Sequence, residues 1–253
     1  MAKRSSACWP SGSPRSYDMS RRLAAPLVVL VVVACAAQGP QEDAPRERRL
    51  AMIEEQIVAR GVKDPRVLEA MRVVPRERFV PPEQAARAYA DSALSIGEGQ
   101  TISQPYIVAY MSEVLEVAPE HTVLEIGTGS GYQAAILAEL AREVYTIEIL
   151  PALAARAAET LRALGYTRVH VRAGDGYAGW PEEAPFDRIM VTAAPEEIPQ
   201  PLLDQLAIGG RLVTPVGAQR ETQWITIVDK TEQGLVERRT IPVQFVPFTR
   251  RSR

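Results

Sequence analysis

"VLEIGTGSGYQAA" (residues 123–135) decides the fold. A short apolar run ends in an acid. Gly127, Gly129 and Gly131 follow at every second position, and an Ala/Leu-rich stretch takes over directly. This order reads as strand (123–126), loop and helix (131–142). The glycines let the backbone pass close to a ligand at the carboxyl end of a strand, where open α/β sheets bind theirs. A dinucleotide fingerprint wants its third glycine at position 132, where Tyr132 stands, and no GK[ST] phosphate loop is present. Tyr132 argues against a nicotinamide dinucleotide, and the missing phosphate loop argues against ATP.

Downstream the pattern continues in alternation. "VYTIEI" (144–149), "VHVRAGD" (169–175), "DRIMVTAA" (187–194) and "RLVTPVG" (211–217) read as strands. Residues 151–165 form a helix with proline at its first position and glycine at its end, and "PQPLLDQLAIGG" (199–210) a helix with its cap. Short apolar strands alternating with helices imply a mostly parallel sheet covered on both faces. "TQWITIVDK" (222–230) and "VERRTIPVQFV" (236–246) flank a turn and read as an antiparallel hairpin. Upstream, Leu50, Ile53 and Ile57 give residues 46–60 a helical face ending at Gly61, and Asp64 with Pro65 opens a second short helix. "VVPRERFVPP" (73–82) reads as an extended connector. The expected architecture is α/β: a single doubly wound sheet with N-terminal helices and a C-terminal hairpin.

Composition narrows the function classes. Length and apolar content are ordinary for a globular protein with a sizeable core, and a net charge of −2 gives no electrostatic case for a nucleic-acid partner. Both cysteines, Cys8 and Cys35, precede the α/β body, which leaves it no thiol for catalysis, a disulfide or a metal. No metal is expected. The segment "MSRRLAAPLVVLVVVACAAQ" (19–38) has a basic start, an apolar run too short for a comfortable membrane span, and Cys35 after small residues. It is similar to a bacterial lipoprotein signal, which would make Cys35 the lipid-bearing first residue of the mature chain. The domain reading is therefore 1–37 as an export signal, 38–45 as a flexible tether and 46–253 as the folded body. A lipid anchor is the only expected membrane attachment.

The E-x-G-x-G-x-G form resembles the first motif of the class I S-adenosylmethionine-dependent methyltransferases. Acids stand at three successive strand ends: Glu125, Glu148 and Asp175. The resemblance implies cofactor contacts from Glu125, Gly127, Thr128, Gly129 and Gly131, from Glu148 at the ribose, and from Asp175 and Gly176 at the adenine. Gln223 is a weaker candidate. Each acid taken singly also reads as a solvent-facing strand end or a turn-forming residue.

"GQTISQPYIVAYM" (99–111) and "RVLEAM…VPRERFVP" (66–81), together with the glycine loop, resemble protein-L-isoaspartate O-methyltransferases over about residues 46–250. That family methylates the free α-carboxylate of isoaspartyl residues in damaged proteins, which start repair through a succinimide. The resemblance places the active-site serine at Ser103, with Thr101, Ile102 and Gln104 shaping the acceptor pocket and Thr192, Ala193 and Pro195 as a second wall. Ser103 also reads as the N-cap of the helix that follows it. A carboxylate acceptor is ionised at neutral pH, so the reaction needs positioning more than a base, in keeping with the lack of an obvious His or Cys catalyst. His121 and His170 read as structural or solvated.

Two alternatives stay open on the sequence. One is a class I methyltransferase with another acceptor, which gives Ser103 no special place. The other is an anchored, non-catalytic S-adenosylmethionine-binding protein. Location divides as well: the leader says cell envelope, whereas the resembled family usually works in the cytoplasm. A monomer is expected.

Overall fold

The computed structural model describes residues 40–250, with side chains from residue 44. The export-signal reading, Cys35 included, lies outside the described residues. The first helix, α1 (Pro40–Met52), starts within the stretch read as a tether. It runs into a π-type turn (Ile53–Ile57) and a 3-10 turn (Val58–Arg60) that ends at Gly61, so the expected 46–60 helix is present but irregular. Asp64 caps α2 (Pro65–Val73), its carboxylate accepting the Arg66 N–H at 2.8 Å.

Two expectations change before the sheet begins. Residues 73–82 are extended only in part, at Val74 and Val80. Pro75 and Pro81 hold φ at −79° and −59°, and their carbonyls accept the N–H groups of Arg78 and Gln84. The result is two 3-10 turns, Arg76–Phe79 and Pro82–Arg87. The stretch before the next helix forms a small antiparallel hairpin, β1 (Leu94–Gly97) with β2 (Gln100–Ile102), around a tight turn at Glu98 and Gly99. Helix α3 (Pro105–Leu115) follows, burying Val108, Met111 and Leu115.

The expected alternation then appears: β3 (Thr122–Ile126), α4 (Tyr132–Leu140), β4 (Glu143–Glu148), α5 (Pro151–Ala163), β5 (Val169–Ala173), β6 (Phe186–Val191), α6 (Gln200–Gln205) and β7 (Leu206–Val216). Helix α6 ends at Gln205, shorter than "PQPLLDQLAIGG" suggested. Leu206 already pairs with Phe186, and residues 207–210 bulge before Arg211 meets Arg188. Strands β8 (Gln223–Thr231) and β9 (Gly234–Val243) form the expected antiparallel hairpin.

All seven strands from β3 onward form one sheet in the order β5-β4-β3-β6-β7-β8-β9, parallel from β5 to β7. From β3 the chain builds outward through β4 to β5, then crosses to β6 on the other side. The carboxyl ends of β3 and β6 are thus the switch point of the sheet, where a crevice opens. Helices α3 and α4 contribute to one apolar core with the N-terminal helices, while Leu124, Ile126, Phe186, Ile189 and Leu202 build a second on the opposite face. Among the described residues no helix is long and apolar enough to cross a membrane.

Candidate active site

A cavity of about 890 Å³, counting its open mouth, lies at the switch point. Gly127, Thr128 and Gly129 of the glycine loop line it, as do Glu148 at the end of β4 and Gly176 after β5. Thr101, Ile102 and Ser103 line it from the segment before α3, and Thr192 and Ala193 from the end of β6. Ten of the sixteen residues proposed from the sequence therefore meet around one space.

The loop holds its shape through two kinds of contact. Gly127 sits at φ +101°, and a Cβ there would come within 2.4 Å of the Thr192 hydroxyl. That hydroxyl donates to the Gly127 carbonyl at 2.6 Å, tying the ends of β3 and β6 together. Gly131 at φ +88° starts α4 against Leu161 and Ala157 of α5, where a Cβ would be crowded at 3.2–3.4 Å. Glu148 Oε2 accepts the Gly129 N–H at 2.8 Å and Oε1 the Leu150 N–H at 3.0 Å. A carboxylate has about four acceptor sites. Glu148 therefore keeps lone pairs for a ligand's hydroxyls at the cavity wall.

Six expected residues lie elsewhere, each for a physical reason. Glu125 points under the loop and is fully buried. It accepts from Thr146 Oγ1 at 2.5 Å, and Thr146 in turn meets Thr128 Oγ1 at 2.6 Å. Burial, with the nearby Glu148 charge adding to it, raises the Glu125 carboxyl to about 8. Gly131 packs on α5 rather than facing the cavity. Asp175 caps the turn after β5, accepting the Tyr177 N–H at 2.9 Å, and faces Arg250 at 3.5 Å. Gln223 is fully buried and accepts the Phe245 N–H at 2.6 Å. Gln104 reaches away to Asp91 Oδ1 at 2.7 Å. Pro195 is buried, its carbonyl accepting the Gly217 N–H.

Ser103 is also not the N-cap of α3. Gln104 holds that position. Its carbonyl accepts the N–H groups of Ile107 and Val108, with Pro105 filling the first helical position. The Ser103 hydroxyl makes no hydrogen bond to any described residue, which leaves it available in the cavity wall. Neither histidine approaches the site. His121 Nδ1 accepts the Ala118 N–H, and His170 pairs with Glu143 and stacks on Tyr145.

Sequence reasoning missed two groups. Phe245, Val246, Pro247, Phe248 and Thr249 close one side of the cavity as a strap. The Ala194 N–H and carbonyl bond to Val246 and Phe248 and hold it there. The sequence reading put Phe245 and Val246 in the second hairpin strand, which ends at Val243, and marked nothing at 247–249. The other is Arg76, in a stretch read as an extended connector, which is wholly buried behind Ser103.

The lining suits a ligand that carries ribose hydroxyls and a flat ring system. The Glu148 carboxylate stands as an acceptor at the end of β4, with small residues in the loop and Ile147, Ile149 and Phe248 around them. A sheet that turns back at β3 and β6, with this loop and this strand-end carboxylate at the turn, fits the class I S-adenosylmethionine-dependent methyltransferases that the sequence resembles. The family model described as Protein-L-isoaspartate(D-aspartate) O-methyltransferase (PCMT) matches residues 47–253. The chain belongs to this family.

A protein-L-isoaspartate O-methyltransferase of Gloeobacter violaceus is 61% identical over 199 residues, covering 79% of this chain and 97% of its own. The protein of the same name from Opitutus terrae is 53% identical, over 88% and 96% of the two chains. Among solved structures, a protein-L-isoaspartate O-methyltransferase superposes with a TM-score of 0.71 at 29% identity, covering 80% of this chain and 65% of its own. A Plasmodium falciparum protein described as a putative enzyme of this kind, in complex with S-adenosyl-L-homocysteine, gives 0.69 at 25% identity, over 80% and 98%.

Proposed function

We infer that the protein transfers a methyl group from S-adenosylmethionine to the free α-carboxylate of L-isoaspartyl residues in damaged proteins and peptides. One observation carries the reading: a single cavity is lined both by the glycine loop with Glu148 and by the segment 101–103. Bound there, the cofactor supplies an electrophilic methyl group on a sulfonium cation. Gly127, Thr128 and Gly129 would border its amino-acid end, Glu148 would accept from its ribose, and Gly176 would lie beside its base.

The remaining work is positional. The acceptor carboxylate is ionised at neutral pH and needs no base. Its attack on a cation neutralises charge, which a partly desolvated cavity favours. Ser103 is the catalytic residue of this reading, its free hydroxyl donating to one acceptor oxygen while the other faces the methyl group. Thr101, Ile102, Thr192 and Ala193 confine the acceptor. The ester formed is a better acyl donor than the carboxylate. The following backbone nitrogen attacks it, methanol leaves, and a succinimide results.

Labelled methyl donor offered with an isoaspartyl peptide and its normal aspartyl twin tests the reading. Transfer to the first alone is expected, and equal or absent transfer to both overturns it. We also propose that residues 1–37 are an export leader and that Cys35 carries lipid. A palmitate analogue should label the wild type and not Cys35→Ser, and no label in either removes the anchor.

A further inference from the structure

Arg76 is an unusual residue to find in a core. It is fully buried, yet no carboxylate among the described residues pairs with it. Its guanidinium is held by neutral groups instead. Nε donates to the Ala88 carbonyl at 2.7 Å and Nη2 to the Ser103 carbonyl at 2.7 Å, while the ring of Tyr132 lies 4.8 Å away. Nη1 is buried with no hydrogen-bond partner among the described residues. Burial lowers the group to about 10, so it stays charged at neutral pH.

Burying a cation costs several kcal/mol unless an opposite charge or good hydrogen bonds compensate it. Two carbonyls and an aromatic face compensate in part. The positive charge itself remains without a counter-ion. Both Ser103 and Tyr132 line the cavity, which puts the charge behind the wall that carries the Ser103 hydroxyl. The anion that arrives at this wall is the acceptor.

We propose that Arg76 is a positioning residue for the methyl acceptor: its buried, uncompensated charge favours an ionised acceptor carboxylate at Ser103, and its bond to the Ser103 carbonyl fixes the turn that presents the hydroxyl. The carbonyl it captures would otherwise be a lone-pair donor free to oppose an anion. In a medium less polarisable than water, attraction between the guanidinium and the carboxylate is stronger than the same pair would show in solvent. The proposal rests on the isoaspartyl α-carboxylate being the acceptor.

The test begins with the wild-type protein saturated with S-adenosylhomocysteine. Binding of an isoaspartyl peptide is compared with that of its isoasparaginyl twin, in which a neutral carboxamide replaces the α-carboxylate. The carboxylate peptide is expected to bind about tenfold more tightly. Equal binding by a protein that methylates the isoaspartyl peptide overturns the role of Arg76 alone. Failure to methylate that peptide at all overturns the acceptor reading, and this proposal with it.

Variants separate charge from structural support. Arg76→Met should raise the peptide KM about tenfold and leave S-adenosylhomocysteine affinity within about twofold, while Arg76→Lys recovers most of the loss. Equal losses in Lys and Met, or a cofactor loss as large as the peptide loss, would reduce Arg76 to a structural tie. The wild-type comparison stands even where Arg76→Met does not fold.

Discussion

Glu148 Oε2 accepts the backbone N–H of Gly129 at 2.8 Å, so the end of β4 holds the middle of the glycine loop that leaves β3. One carboxylate thereby serves the loop and faces the cavity. Glu148→Gln keeps an acceptor for one backbone N–H but loses the charge. It should weaken S-adenosylhomocysteine binding about tenfold, and Glu148→Ala about a hundredfold, as charged hydrogen bonds are lost. Isothermal calorimetry measures both, and unchanged affinity in the alanine variant would remove Glu148 from the ribose site.

Ser103 separates binding from turnover. Its hydroxyl caps no helix, so Ser103→Ala should leave the melting temperature near that of the wild type. Turnover on the isoaspartyl peptide should fall about tenfold to a hundredfold through lost alignment, with S-adenosylhomocysteine affinity within about twofold. A variant with full turnover would leave Ser103 as pocket wall only.

How much of this was legible in the sequence depends on what each residue's signal encodes. Strands β3 to β6 and the helices between them show in the apolar runs, because a parallel sheet buried on both faces demands them. Glu148 was legible because it closes a strand beside the glycine loop. Glu125, one strand over, was misplaced: an acid at a strand end can face either way, and the alternation of side chains turns this one beneath the loop toward Thr146. The strap at 245–249 and the buried Arg76 were invisible because their positions follow from contacts with Ala194 and Ser103 that are distant in the chain.

Gln223 tests the strap. Its side-chain oxygen accepts the Phe245 N–H at 2.6 Å in a fully buried setting, so the strap's first residue hangs on it. Gln223→Ala leaves that N–H unsatisfied, at a stability cost of about 1–3 kcal/mol. Hydrogen exchange should rise at Phe245 and through the strap while β8 and β7 stay protected. Retained protection across 245–249 would show that the Ala194 bonds suffice alone.

Glu125 gives a pH-dependent prediction with a definite sign. Its carboxyl rises from 4.5 in the unfolded chain to about 8 in the fold, chiefly because burial opposes the charged form. Between those values the folded state binds more protons than the unfolded one, so this group makes stability fall as pH rises. Above about 8 both states are ionised and the loss is complete. Glu125→Gln cannot ionise and keeps an oxygen for the Thr146 hydroxyl. Its stability relative to the wild type should therefore improve steadily from about pH 5 to about pH 8 and level off beyond. Urea unfolding of both proteins across that range measures the difference. A difference that stays flat across this range would mean that the folded-state carboxyl is not raised despite its burial.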